Sequence, residues 1–260
     1  MGRMTDDDKP NGADNRVDFL VHEIGLSIAA EKYKPGETLP IEQELCDRFN
    51  AGRNAVREAI KMLTAKGFVR TERRAGTIVQ PRDQWAMLDP QVLSWMLGNP
   101  DLRQSLLRHM SQLRRIIEPE AAALAAENGT IVEILRLFEA YEQMNQSRHS
   151  RELAISADIR FHQHLLSASH NPLIASMSRS IDVLLRANFE ISIESPNGYI
   201  RNLEQHGKVA EAIHQRNPAA ARKEMLKLLA NNDSDLARML EAPVEGSRKG
   251  GGRRSRSGKL

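Results

Sequence analysis

Arg53, Arg57 and Lys61 recur at a spacing of four, so on a helix they share one face. A guanidinium can bond guanine O6 and N7 together, and a helix whose cationic face begins at its N-terminus suits the major groove of DNA. Val56, Ile60 and Leu63 form an apolar stripe on the same segment that can pack on a preceding helix. Asn54 stands beside the two arginines. Arg73 and Arg74 follow in a short basic run able to reach phosphate or the minor groove, and Gly76 would let the backbone approach a duplex closely. Between Arg53 and Arg82 there are eight Lys or Arg against two acids, Glu58 and Glu72. Charge alone more often marks a solvated face than a binding site, so the reading depends on the elements that present these residues.

Those elements are legible. Apolar residues at helical spacing from Val17 to Ala30 predict a first helix, ended by the prolines and glycine of KYKPGETLP. IEQELCDRF reads as a second helix, and a third, starting near Asn50 or Arg53, stops at Gly67. Phe68 to Thr71 and Thr77 to Gln80 are β-prone runs around a turn near Gly76. Three helices and a hairpin in this order predict a winged helix-turn-helix. Beyond it, three Asn-Pro pairs (Asn99-Pro100, Asn171-Pro172, Asn217-Pro218) mark helix starts. Helices are expected at 84–97, 101–127, 130–147, 150–169, 172–194, 198–215 and 218–240, with no strand-like alternation. The predicted fold is mainly α: an N-terminal winged helix-turn-helix followed by an all-α helical-bundle ligand-binding domain. The expected organisation is a disordered 1–15, a DNA-binding domain at 16–81, a linker and connecting helix at 82–100, an effector-binding and dimerisation domain at 101–241, and a disordered basic tail at 242–260.

Composition agrees with helices: 40% of the 260 residues are hydrophobic and only 4% aromatic. No apolar run approaches the roughly 20 residues needed to cross a bilayer, and Met1 to Asn15 carries three consecutive aspartates rather than an apolar signal core. A cytoplasmic protein is expected. The single cysteine, Cys46, cannot form an internal disulfide and reads as a small core residue of a helix. Net charge is +3, but the last fifteen residues hold six cations and no acid, and without them the remainder stands at −3. That tail could add phosphate affinity or be inert.

The run from Lys32 to Pro81 resembles the DNA-binding domain of the GntR family. The family pattern PGxxLPxExEL is met by Pro35-Gly36, Leu39-Pro40, Glu42 and Glu44-Leu45. The recognition-helix pattern SRxxVREA is met by Arg53 and Val56-Arg57-Glu58-Ala59, the LxxxG turn by Leu63 and Gly67, and the wing by Gly76 and Val79. The resemblance implies DNA contacts from Gln43, Arg53, Arg57 and Gly76. Gln43 stands where the family usually has Arg, and Gly52 where it usually has Ser.

From about Leu102 to Leu240 the chain resembles the seven-helix ligand-binding domain of the FadR-type branch of that family, its opening helix LRRIIEPEAAALAA fitting RxxLExxxAxxAA. The resemblance places Arg114 where members contact an anionic effector, a role a guanidinium can perform by clamping a carboxylate. It also implies a metal site from an Asp and a His one turn apart and two later histidines. Asp158 and His162 stand at i and i+4, and His206 lies on the right later helix, but the fourth place falls on Leu228. Three ligands can still hold a divalent ion such as zinc; the alternative is that Asp158, His162 and His206 bind the effector directly or form a polar core. His164 and His170 fall off the shared face. DQWAMLDPQVLSWML, ADIRFHQHLL and HNPLI are most similar to branch members that regulate sugar-acid catabolism.

Together these features predict a homodimeric repressor released from a double-stranded operator by a sugar acid. Activation in response to another small carboxylate is a second reading. A third, a metal-dependent enzyme with a DNA-binding arm, lacks a separate general base or nucleophile in any motif, and the chain is expected not to be an enzyme.

Overall fold

The structure, a computed structural model, describes residues 13–147, 149–192 and 198–241. Its N-terminal unit is α1 (Ala13–Ala29), α2 (Glu42–Phe49), α3 (Arg53–Ala65), β1 (Val69–Glu72) and β2 (Gly76–Val79). Helix α2 begins where the Glu44 carboxylate accepts the Ile41 backbone N–H, and it ends at Asn50 in the left-handed region (φ 48°). Two residues on, α3 begins at Arg53 with Gly52 as its N-cap. The strands pair antiparallel from Val69↔Val79 to Glu72↔Gly76, and Thr38 bridges to Ile78, so the wing is anchored to the turn before α2. Leu20, Ile24, Ile28, Val56, Leu63 and Phe68 fill the core of the unit.

The connecting segment is part of that core. A short 3-10 turn (Arg82–Gln84) leads to α4 (Pro90–Leu97). Trp85 stacks on Phe68 at 4.1 Å, and Trp95 of α4 meets Phe68 edge-on at 5.3 Å. Trp95 lies so close to α1 that a Cβ on Gly25 would come within 2.6 Å of its ring, and its indole N–H donates to His22 Nδ1. The Asn99 side chain donates to the Ala29 carbonyl at the end of α1. On its other side α4 packs on the bundle, against α5 and α9.

The bundle comprises α5 (Pro100–Asn128), α6 (Ile131–Gln146), α7 (Arg151–Ala168), α8 (Pro172–Ser176), α9 (Ser178–Ser192), α10 (Gly198–His214) and α11 (Pro218–Glu241). Asn99, Asn171 and Asn217 each accept a backbone N–H at the helix start that follows, as the Asn-Pro pairs predict. Buried alanines 121–123, 125 and 126 let α11 and α7 approach α5 closely.

Three expectations need correction. Residues 13–15, read as disordered, belong to α1. The helix expected at 84–97 starts only at Pro90, because proline disfavours helical geometry in the residue before it and Asp89 instead caps Gln91 and Val92. The helix expected at 172–194 is broken at Met177: the Ser176 hydroxyl bonds back to the Leu173 carbonyl and the chain steps into α9, while residues 193 and 194 of the expected helix lie outside the described residues. Helical spacing of apolar residues continues across that step, so periodicity could not reveal it. Residues 1–12 and the basic tail from 242 lie outside the described residues.

Candidate functional site

Arg53, Asn54, Arg57 and Lys61 are exposed on α3, while Val56, Ala59 and Leu63 are buried on its other side. Two of the cations are already steered by α2. The Arg53 guanidinium donates to Gln43 Oε1 at 2.8 Å, and Arg57 Nε pairs with Glu42 at 2.9 Å. The family position read as an altered contact, Gln43, thus lies against a recognition-helix arginine and donates in turn to Asp47. Gly52 makes no side-chain cap, in keeping with the absent Ser hydroxyl. Arg73 and Arg74 are exposed at the hairpin turn, where Arg74 (φ 73°) and Gly76 (φ 84°) both adopt left-handed backbone. A Cβ on Gly76 would meet Thr38 Cγ2 at 3.2 Å, so glycine there serves the tight wing as well as close approach.

Inside the bundle, the helices α5, α7 and α10 bring Arg114, Asp158, His162 and His206 together, all buried. His206 Nε2 lies 3.1 Å from Asp158 Oδ1, 3.4 Å from His162 Nε2, and His162 Nε2 lies 4.0 Å from Asp158 Oδ1. Two atoms bound to one zinc at about 2.0–2.1 Å with tetrahedral angles stand roughly 3.4 Å apart, so this triangle has the dimensions of three ligands around one ion. Tautomers favour the same arrangement. His206 Nδ1 sits 2.7 Å from the Asn202 carbonyl and is therefore its donor, leaving Nε2 to face the triangle. His162 Nδ1 lies 2.9 Å from Glu118 Oε2, in a contact bent away from a linear hydrogen bond. A carboxylate that near requires an N–H, so Nε2 again faces inward. Leu228 is fully buried in the apolar cluster with Met225 and Leu229 and offers no ligand.

Glu118, which sequence reasoning left without a role, is the group that organises the site. Its two oxygens take Arg114 Nε and Nη2 at 2.5 and 3.1 Å. Burial pushes its carboxyl up, but Arg114 and His162 outweigh burial and hold it at about 2. Burial likewise works against the Asp158 carboxylate, yet its neighbours His206, His162 and Arg114 bring its pKa below the usual value. Arg114 is thus held by an acid of its own helix, and its Nη2 also lies 3.3 Å from His162 Nε2 at the edge of the triangle. The signal was available: an acid four residues after an arginine, both on the face that carries the buried alanines. The carboxylates of Glu118 and Asp158 against the one guanidinium of Arg114 leave a balance of one negative charge among these three groups. A divalent cation would reverse that sign and make the site receptive to an acid.

The two other histidines stand apart. His164 is half-buried, and burial together with Arg136 and Arg160 lowers its pKa; His170 is exposed and pairs with Glu133 at 2.9 Å.

Comparison with known proteins decides the family. Residues 17–79 match the family model described as bacterial regulatory proteins of the gntR family, and 109–231 match the FCD domain. The chain is 35% identical over 223 residues to the galactonate operon transcriptional repressor of Escherichia coli K12, covering 85% of this chain and 97% of that protein. The chain belongs to the GntR family. This GntR regulator is also 30% identical to the transcriptional regulator LutR of Bacillus subtilis, over 82% of its own length and 97% of that relative. A solved Listeria monocytogenes structure, of the protein Lar that controls the agr system, shares the fold with a TM-score of 0.61 at 18% identity, over 86% of this chain and 97% of that one. Membership in a family of regulators removes the enzyme alternative. Among the described residues no helix is long and apolar enough to cross a membrane.

Proposed function

We propose that this GntR regulator is a cytoplasmic homodimeric repressor of a sugar-acid catabolic operon, released by its effector. Arg53 and Arg57 read bases with Asn54 beside them, while Gln43, Arg73, Arg74 and the backbone at Gly76 position the duplex. Two recognition helices related by a dimer axis would enter successive major grooves of a pseudo-palindromic operator. Asp158, His162 and His206 hold a divalent metal such as zinc, and Arg114 sets the charge around the effector through Glu118. When bound, that ion would supply positive charge for a carboxylate.

The observation that carries the reading is the buried donor triangle in a bundle joined to the DNA-reading unit by a shared core. Helix α9 packs on α7, which carries Asp158 and His162, and the Ser180 hydroxyl of α9 donates to the Leu88 carbonyl in the linker. A ligand that shifts α9 therefore acts on the segment holding Trp85 and Trp95 against α1. The 35% identity to a galactonate operon repressor supports the sugar-acid class.

The test is fluorescence anisotropy on DNA from upstream of its own gene, titrated with sugar acids before and after chelator treatment. Operator affinity is expected to fall as galactonate is added, and the response to disappear without metal. Operator binding that no sugar acid weakens would reject the proposal.

A further inference from the structure

Among the described residues three buried side-chain atoms have no hydrogen-bond partner: His162 Nδ1, which faces Glu118 at a poor angle, and two acceptors outside the triangle, Asp182 Oδ1 on α9 and Asn202 Oδ1 on α10. Native interiors leave few acceptors in this condition. Neither side chain is free to turn away. Asp182 Oδ2 already accepts from Gln163 Nε2 at 2.6 Å, and Asn202 Nδ2 donates to Asn232 Oδ1 at 2.7 Å. Rotating the Asn202 amide would only exchange which of its ends is unpaired.

Both residues adjoin the donor triangle. Gln163 directly follows His162 on α7, and its bond to Asp182 ties α9 to that turn of α7. Asn202 is one turn before His206, and its backbone carbonyl fixes that ring. The triangle and the two orphans ask for different chemistry. Asp158 and the two imidazoles present acceptors suited to a cation, which draws a carboxylate. The orphans demand hydrogen-bond donors, which a carboxylate lacks and a hydroxyl supplies. Water can fill such places, but an apolar ligand that displaced it would leave both acceptors bare, whereas a hydroxyl replaces it bond for bond.

We infer that Asp182 and Asn202 form a hydroxyl-recognition subsite beside the triangle, selecting a polyhydroxylated carboxylic acid over a plain one. This rests on the effector site proposed above and adds the residues that read the ligand's hydroxyls. It also gives α9 two tasks, because Asp182 lies two residues from Ser180 and its bond to the linker.

The test is calorimetric titration of the metal-loaded full chain with galactonate, gluconate, xylitol and hexanoate, the last having six carbons and no hydroxyl. The wild-type protein is expected to prefer a sugar acid to hexanoate by about a hundredfold or more. Asp182→Leu and Asn202→Leu should each weaken the sugar acid by about tenfold or more and leave hexanoate within about threefold, so that selectivity collapses while hexanoate reports an intact site. Asp182→Asn keeps the size of the side chain and an acceptor for Gln163 but turns the orphan into a donor. It covers the case in which a leucine variant fails to fold, and it too should weaken the sugar acid selectively. Equal losses for sugar acid and hexanoate, or no loss in any variant, would overturn the inference. If neither sugar acid binds but xylitol does, with the same dependence on Asp182 and Asn202, the subsite stands and the sugar-acid assignment fails. If only hexanoate binds, both fail.

Discussion

Replacing Glu118 by Gln removes the carboxylate that Arg114 grips with two nitrogens. The two side chains are 0% and 2% exposed, so solvent cannot take over either charge. Breaking a buried pair by removing one partner costs about 3–5 kcal/mol. Gln retains one oxygen for the guanidinium, and Asp158 still acts on Arg114, which places the expected loss at the lower end, about 3 kcal/mol. In a bundle of this size that lowers the unfolding midpoint by about 6–12 °C. The double substitution Arg114→Met with Glu118→Leu removes both charges and should recover most of the loss. Urea unfolding of chelator-treated protein, followed by circular dichroism, measures all variants without a metal contribution. A loss below about 1 kcal/mol for Glu118→Gln, or a double variant as unstable as the sum of its singles, would refute the electrostatic interdependence of the pair. The same group fixes a pH signature. Its carboxyl stands at about 2 in the fold against 4.5 ordinarily, so its stabilisation is complete above pH 4.5 and is lost as pH falls through about 2. Glu118→Gln should flatten that acid limb.

Arg57→Ala should weaken operator binding by about tenfold to a hundredfold while leaving the melting temperature and oligomer mass unchanged, because its partner Glu42 is an exposed ion pair worth little to the fold; unchanged anisotropy titrations would remove Arg57 from the reading face. Ser180→Ala deletes the α9 bond to the Leu88 carbonyl, worth about 1 kcal/mol. Effector affinity should persist while the effector-induced fall in DNA affinity shrinks by up to about fivefold, and a full response in the variant would exclude this bond from the coupling. Gly67→Ala should destabilise the N-terminal unit by more than about 2 kcal/mol, since φ is 74° and a Cβ would stand 1.9 Å from the Gln84 carbonyl oxygen; a near-neutral melting curve would contradict that geometry.

Local rules made the DNA-reading unit legible. The spacing of Arg53 and Arg57 against Val56 and Leu63, the Pro35-Gly36 turn and Gly67 all act within a few residues, where periodicity and backbone limits operate. The i and i+4 spacing of Asp158 and His162 is local in the same sense, and the buried state of Leu228 follows from its apolar neighbours. The sequence by itself therefore determined the helix-and-wing order, the exposed cationic face and one helical half of the inner site. Only the tertiary structure decided what these groups meet. His206 joins Asp158 and His162 from 44 or more residues away, Glu118 and Arg114 pair beside the ring of His162, and Asp182 and Asn202 acquire orphaned acceptors because of where α9 and α10 pack. The linker's burial between two units, with Trp95 against Gly25, is likewise set by packing across more than 60 residues of chain. Spacing along a helix fixes which side chains share a face, but charge balance and hydrogen-bond satisfaction depend on every element that converges on a point, and no single segment encodes that convergence.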